Sequence, residues 1–182
     1  MAPQPHGTLG IVTEPEPVED VTAELLAELT RRGLTVAVAE SLTGGLLTAE
    51  LTRPAGASAV VLGGVVAYAT ELKHSVLGVE SGLLAVHGPV HPDVAMQLAV
   101  GVRSALAVDG ARADVGIATT GVAGPDPQGG QPPGTVFVGL SIGSEVTVAP
   151  LLLTGDRAAI RGETVAFAVD YLRAGLARTF AE

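Results

Sequence analysis

Short apolar segments rich in β-branched residues alternate along this chain with segments whose apolar residues recur at helical spacing. Predicted strands span residues 34–39, 60–68 and 115–119, and residues 135–142 and 145–153 form a predicted hairpin. Predicted helices span residues 21–32, 43–52, 70–77, 81–86, 92–108 and 156–180. Strands that are separated by helices pair in parallel, whereas hairpin strands pair antiparallel. The sequence therefore predicts an α/β fold, a single layered α/β/α domain with a mixed sheet.

The negative charge of the chain is concentrated near its beginning. The formal net charge is −9, and six of the 19 acidic residues precede Arg31, the first Lys or Arg of the chain. Residues 1–18 are rich in Pro and Glu and lack periodicity, so we expect a flexible acidic tail there and one folded domain over residues 19–182. Because no basic patch is visible, direct binding of nucleic acid is not expected.

Several other classes of protein are disfavoured by the sequence. Cysteine is absent, which excludes disulfides, a cysteine nucleophile and zinc sites built on cysteine. His87 and His91 are separated by a Gly-Pro-Val segment that breaks helical spacing, and we expect neither a metal nor an organic cofactor. The longest apolar run, residues 59–68, is too short to span a membrane, and no secretory signal is visible. We therefore expect a cytoplasmic protein.

The first candidate for chemistry is the segment AESLTGG, residues 39–45, between a predicted strand and a predicted helix. Such a turn presents a side chain at the carboxyl edge of a sheet, where free backbone amides collect at the helix start. Ser41 could act as a nucleophile there, with the amides at the start of the helix at Thr43 stabilising an oxyanion. Alternatively, Ser41 or Thr43 simply caps the helix, or the glycines admit a phosphate.

The second candidate is Lys73, which follows the second predicted strand and is the single lysine among the ten Lys and Arg residues. An ammonium group can lose its proton in a desolvated pocket, whereas a guanidinium cannot, so Lys73 could act as a base. Alternatively, Lys73 is an ordinary exposed helix residue. Tyr68 lies at the end of that strand, and Gly63 and Gly64 within the strand indicate a bulge or a close backbone approach.

The third candidate is the glycine-rich loop predicted over residues 121–134, which follows Thr120 at the end of a strand. Backbone amides in such a loop can bind an anion, although the segment could also be a simple connection. Asp156 is the predicted N-cap of the last helix, and Arg157 or Arg161 could reach a phosphate from it.

Taken together, these segments resemble the CinA C-terminal domain family in order and spacing. The shared segments are AESxTGG at 39–45, GGVVAY at 63–68 with Lys73, LGV at 77–79, TGVAGP at 120–125, PGTV at 133–136 and GDR at 155–157. The resemblance covers residues 21–177. It implies a nicotinamide-nucleotide amidohydrolase (NMN deamidase), which converts nicotinamide mononucleotide to nicotinate mononucleotide and ammonia, and it implies a homodimer or larger homo-oligomer.

The resemblance also implies roles for individual residues. Ser41 matches the family's nucleophile, and Tyr68 and Lys73 match the residues that assist it. The residues that we expect to contact substrate are Glu40, Thr43, Gly44, Gly45, Thr120, Gly121, Ala123, Gly124, Arg157 and Arg161.

Some positions depart from the family pattern. They are Leu42, Ala69, Thr70, His91 and Gln131, where the family often has other, mostly polar, residues. These losses support an alternative hypothesis, in which the domain is a non-catalytic nucleotide-binding or interaction module. The sequence favours catalysis, because Lys73 is kept at the position of the family's lysine.

Overall fold

The computed structural model describes residues 20–181, so the tail predicted over residues 1–18 lies outside the described part of the chain. The strands are β1 Val36–Glu40, β2 Val61–Val66, β3 Val115–Gly121, β4 Thr135–Ile142 and β5 Glu145–Leu152. The helices are α1 Val21–Arg32, α2 Leu46–Thr52, α3 Thr70–Ser75, α4 Ser81–His87, α5 Pro92–Ala105 and α6 Arg157–Thr179. A short 3-10 helix, Ala57–Ala59, precedes β2.

The five strands form one mixed sheet in the order β2-β1-β3-β4-β5. β1 pairs in parallel with both β2 and β3, whereas β3, β4 and β5 pair antiparallel. The carboxyl ends of β1, β2 and β3 therefore meet at one edge of the sheet. Turns and loops that follow parallel strands at such an edge are where α/β proteins usually bind ligands.

The sheet separates two apolar cores, because alternate residues of a strand point to opposite faces. In β1, Val36 and Val38 belong to the core shared with α1, α2 and α6, whereas Ala37 and Ala39 belong to the core shared with α5. The small residues facing α5 let that helix approach closely. A Cβ atom at Gly116 of β3 would lie 1.9 Å from the carbonyl oxygen of Ala99 in α5. The helices thus cover both faces of the sheet, which confirms the predicted α/β/α layering.

Two element boundaries differ from the prediction in ways that affect the site. The helix predicted from residue 43 begins at Leu46, since residues 41–45 form a turn with two glycines in the left-handed region. β3 continues to Gly121, two residues beyond the predicted end of this strand, so Gly121 belongs to a strand rather than to a loop. The first change places Ser41 in a turn before α2, and the second extends a strand along the sheet edge.

Between residues 20 and 181, no helix has both the length and the apolar character that crossing a bilayer requires.

Candidate active site

A cavity of about 230 Å³ lies at the edge of the sheet where β1, β2 and β3 end. Its wall combines residues from the turn after β1, the segment after β2, the end of β3 and the start of α6. These residues are Ser41, Leu42, Tyr68, Lys73, Pro89, Val90, Thr120, Gly121, Val122, Ala123, Gly124, Asp126, Gln128 and Arg157. The structure thus brings the three sequence segments to one place.

Ser41 and Lys73 are in direct contact in this cavity. Lys73 Nζ lies 3.0 Å from Ser41 Oγ, although the two residues are 32 positions apart in sequence. Lys73 is fully buried, and its Nζ also donates a hydrogen bond to the carbonyl oxygen of Ala67. Among residues 20–181, no carboxylate forms a salt bridge with Lys73. A serine hydroxyl and a lysine amine at this distance can exchange a proton without a relay.

The surroundings of Lys73 favour its neutral form. Burial lowers the pKa of Lys73 from 10.5 to about 8, and the nearby negative charge of Glu71 offsets part of this effect. The side chain therefore titrates close to neutral pH, which a general base needs.

The turn after Ser41 carries two backbone amides without an acceptor. The N–H of Gly44 donates to the carbonyl oxygen of Ser41 at 3.2 Å, and Gly44 has a φ angle of +60° that favours glycine. Leu42 and Thr43 are buried, yet no hydrogen bond of their backbone N–H groups occurs within the described residues. Because buried N–H groups are almost always paired, these two amides are candidates to bind a developing oxyanion, and Leu42 is the one of the two residues that lines the cavity.

The amides at the start of α2 are not available for this purpose, which corrects the sequence prediction. The carboxylate of Glu40 accepts hydrogen bonds from the backbone N–H groups of Gly45, Leu47 and Thr48 at 2.8–3.1 Å. It also accepts one from the Thr48 hydroxyl. Glu40 is buried and lies outside the cavity wall. It caps α2, which is the structural role that the sequence suggested for Ser41 or Thr43.

Four other residues predicted to contact substrate also lie behind the cavity wall. Thr43 Oγ1 forms a hydrogen bond of 2.8 Å with Thr119 Oγ1, and both side chains are buried. Gly44 and Gly45 shape the turn without lining the cavity. The guanidinium of Arg161 donates to the carbonyl oxygens of Leu42 and Thr43, so it is engaged by the protein rather than facing a substrate phosphate.

Tyr68 and Arg157 lie together at the mouth of the cavity. Tyr68 is 62% exposed, and its hydroxyl accepts a hydrogen bond of 3.0 Å from Arg157 Nη2. Arg157 Nη1 donates to the carbonyl oxygen of Gly124. Within the described residues Tyr68 forms no hydrogen bond with Ser41 or Lys73, so the contact between those two is direct. Arg157 is exposed enough to reach a bound anion.

The end of β3 forms the far wall of the cavity. Thr120 is buried and its hydroxyl donates to the carbonyl oxygen of Pro89, which fixes the segment before α5 against the strand. Pro89 and Val90 also line the cavity and were missed in the sequence, whereas Asp126 and Gln128 line it from within the predicted loop 121–134 but were not singled out there. They lie in irregular segments, for which hydrophobic periodicity gives no signal.

No metal centre accompanies this site in residues 20–181, where no three His, Asp or Glu side chains are grouped to hold an ion. The rings of His87 and His91 pack against each other with centroids 4.5 Å apart. His91 Nδ1 accepts a hydrogen bond from the backbone N–H of Asp93, so His91 caps α5.

The known proteins that are similar to this chain carry related descriptions. The family model of the CinA C-terminal domain matches residues 18–176. A CinA-like protein of Frankia casuarinae is 48% identical over 153 residues, which are 84% of this chain and 34% of that protein. A putative competence-damage inducible protein of Geobacillus kaustophilus is 46% identical over 155 residues, 85% of this chain and 36% of that protein. The chain therefore spans about a third of the length of these curated relatives.

Solved structures agree with these sequence matches. A CinA superfamily protein from Klebsiella pneumoniae superposes with a TM-score of 0.81 at 32% identity, covering 87% of this chain and 97% of that one. A competence/damage inducible protein from Agrobacterium tumefaciens gives a TM-score of 0.79 at 33% identity, covering 89% of this chain and 98% of that one. On the combined evidence of motif order, fold and sequence identity, the chain belongs to the CinA C-terminal domain family.

Proposed function

We propose that this domain is an amidohydrolase that converts nicotinamide mononucleotide to nicotinate mononucleotide and ammonia through a serine nucleophile. The observation that carries the proposal is the distance of 3.0 Å between Ser41 Oγ and Lys73 Nζ in a cavity at the sheet edge. A buried lysine with a pKa of about 8 beside a serine is what base-activated acyl transfer requires. The identity of the substrate, nicotinamide mononucleotide, is inferred from the family resemblance.

In the acylation step, neutral Lys73 accepts the proton of the Ser41 hydroxyl while Ser41 Oγ attacks the carboxamide carbon of the substrate. A neutral amine keeps two N–H bonds, one of which can stay on the carbonyl oxygen of Ala67. That contact holds Nζ in place while its lone pair faces Ser41. The negative charge of the tetrahedral intermediate develops on the former carbonyl oxygen.

The free amides of Leu42 and Thr43 are the donors available to that oxygen. Protonated Lys73 then returns its proton to the departing nitrogen, the C–N bond breaks, and ammonia leaves. In the second step, water loses a proton to Lys73 and attacks the ester carbon. The bond between that carbon and Ser41 Oγ then breaks, nicotinate mononucleotide leaves, and Lys73 returns the proton to Oγ, which restores the Ser41 hydroxyl. Every proton is accounted for by Ser41, Lys73 and water.

The mouth of the cavity suits the remainder of a nucleotide. Arg157 supplies a positive charge beside Gly124, and the small residues Ala123 and Gly124 line the same part of the wall. We assign the substrate phosphate to this mouth, with Tyr68 holding Arg157 in position.

The test is ammonia release from nicotinamide mononucleotide. We expect the wild-type protein to release ammonia and Ser41→Ala to lower the rate by at least ~10³, since no other hydroxyl replaces the nucleophile. Ser58→Ala is the matched control, because Ser58 is exposed in the 3-10 helix and remote from the cavity. It should retain full activity.

Two results would overturn the proposal. Equal rates in Ser41→Ala and wild type would exclude Ser41 as the nucleophile. Binding of nicotinamide mononucleotide by the wild-type protein without ammonia release would instead support the non-catalytic module.

A further inference from the structure

The guanidinium of Arg161 holds the outer side of the turn that contains the nucleophile. Arg161 lies near the start of α6 and is partly buried. Its Nε donates to the carbonyl oxygen of Leu42 at 3.0 Å, and its Nη2 donates to that of Thr43 at 2.8 Å. The planar guanidinium thus binds two successive peptide carbonyls at once, which a lysine could not do with a fixed geometry.

These contacts fix the direction of the amides on the opposite side of the same peptide bonds. In a trans peptide the C=O and N–H groups point in opposite directions. Holding the carbonyl of Leu42 toward Arg161 therefore directs the N–H of Thr43 away from α6. Holding the carbonyl of Thr43 in the same way directs the N–H of Gly44 away as well, and this N–H donates to the carbonyl oxygen of Ser41.

These contacts also affect the orientation of the backbone amide of Leu42, a residue that lies in the cavity wall. Its orientation depends on the carbonyl of Ser41, because the two groups belong to one peptide bond, and that carbonyl is held by Gly44. Arg161 thus fixes the peptide of the Thr43 amide directly, and it fixes the peptide of the Leu42 amide through Gly44. The packing is tight, since a Cβ atom on Gly44 would come within 3.3 Å of Arg161 Nη2.

Within residues 20–181, no carboxylate pairs with the positive charge of Arg161. None of the salt bridges in this part of the chain includes it, and it does not line the cavity. Its positive charge instead strengthens the hydrogen bonds to the two carbonyls and polarises their peptides. Polarised peptides make stronger N–H donors toward a negative oxygen.

We propose that Arg161 is a positioning residue that presets the oxyanion-binding amides of Leu42 and Thr43 from behind the nucleophile turn. The proposal rests on the proposed function of Ser41 as a nucleophile. In this role, Arg161 helps the amides to stabilise the tetrahedral intermediate and does not contribute to binding of the ground-state substrate. Arg157, one helical turn earlier, faces the cavity mouth, so the start of α6 contacts the site from both sides.

The first measurement compares kcat and KM for ammonia release in wild type and Arg161→Met. Loss of an oxyanion contact should lower kcat by ~10–10³ and leave KM within about threefold, because the contact forms only in the transition state. Arg161→Lys should recover part of the loss. Arg173→Met is the matched control, since Arg173 is an exposed α6 arginine whose salt bridge is to Asp170 of the same helix. It should leave both constants unchanged.

The second measurement does not need the substrate. An alkyl fluorophosphonate reacts with an activated serine: the Ser41 Oγ–P bond forms, fluoride leaves, and Lys73 takes up the proton. The phosphoryl oxygen then occupies the oxyanion position. We expect labelling of Ser41 to slow by at least ~10-fold in Arg161→Met and to stay unchanged in Arg173→Met, while both variants keep the wild-type far-UV circular dichroism spectrum.

These two measurements separate the failure of this proposal from the failure of the proposed function. If wild type is labelled at Ser41 but releases no ammonia, the substrate assignment is wrong and labelling alone decides the role of Arg161. A folded Arg161→Met variant with wild-type labelling and kcat would overturn the proposal. A raised KM with unchanged kcat, or wild-type protein that is not labelled at all, would overturn it too.

Discussion

Lys73 combines two properties that rarely coincide in a lysine: it is fully buried, and no carboxylate in the described part of the chain pairs with it. Desolvation therefore acts on its charged form almost without compensation, since Glu71 offsets only part of the effect. The resulting pKa of about 8 lets the neutral amine exist at physiological pH. The proposed role of Lys73 as a base depends on this neutral form, which can accept a proton from Ser41.

The pH dependence of activity should reflect this pKa. The reactive form is the neutral one, so kcat/KM for nicotinamide mononucleotide should rise about tenfold per pH unit below pH 8 and level off above it. Glu71→Gln should move the inflection to lower pH, because the Glu71 charge raises the pKa of Lys73. A profile that is flat from about pH 6 to 10 would contradict the base role of Lys73.

Two residues of the candidate site could be recognised from the sequence because each has a distinctive feature there. Lys73 stands out as the single lysine, and Ser41 stands out in a strand-to-helix turn. The role of Arg161 could not be predicted, because nothing in the sequence says which carbonyls a side chain 118 positions away will meet. The cap formed by Glu40 was missed for a related reason: it reaches forward to the helix from within the preceding strand.

At the scale of elements, the junction between β1 and α2 holds the turn of residues 41–45 from both ends. Glu40 ends β1 and binds the first amides of α2, so the turn between them cannot lengthen or fray. Gly64 of β2 leaves room for this arrangement, since a Cβ atom there would lie 2.0 Å from Thr48 Oγ1. The close approach expected from the glycine pair in β2 is thus confirmed.

The cap can be tested through stability. Glu40→Gln keeps the shape of the side chain but replaces one acceptor oxygen with an NH₂ group that faces backbone donors. We expect the free energy of unfolding to fall by about 2–4 kcal/mol, because buried N–H groups lose their acceptor. Urea denaturation measures this change, with the exposed Glu163→Gln as control, which should stay within about 0.5 kcal/mol. Equal stability of the two variants would show that Glu40 is not an essential cap.

At the scale of the whole molecule, strand and helix order could be predicted because each parallel strand is an apolar segment bounded by glycine or polar turns. The mixed sheet and the α/β/α layers follow from that order. The strand order β2-β1-β3-β4-β5 and the exact wall of the cavity required the structure, since loops carry no periodic signal. The homodimer or larger oligomer that the family resemblance implies stays a prediction.

The curated relatives are about three times as long as the region they share with this chain. The domain described here contains all the side chains that the proposed chemistry uses, from Ser41 to Arg161. We therefore expect the domain to release ammonia from nicotinamide mononucleotide as it stands.

The central claim is that Lys73 acts as the base that activates Ser41, and ammonia release by Lys73→Arg tests it most directly. Arginine keeps the positive charge and much of the length of lysine, but it cannot lose a proton at neutral pH. The account predicts that the folded variant still binds nicotinamide mononucleotide and releases ammonia at least ~10²-fold more slowly than wild type. Wild-type rates in Lys73→Arg would contradict it, and Lys73 would then serve only as a fixed charge beside Ser41.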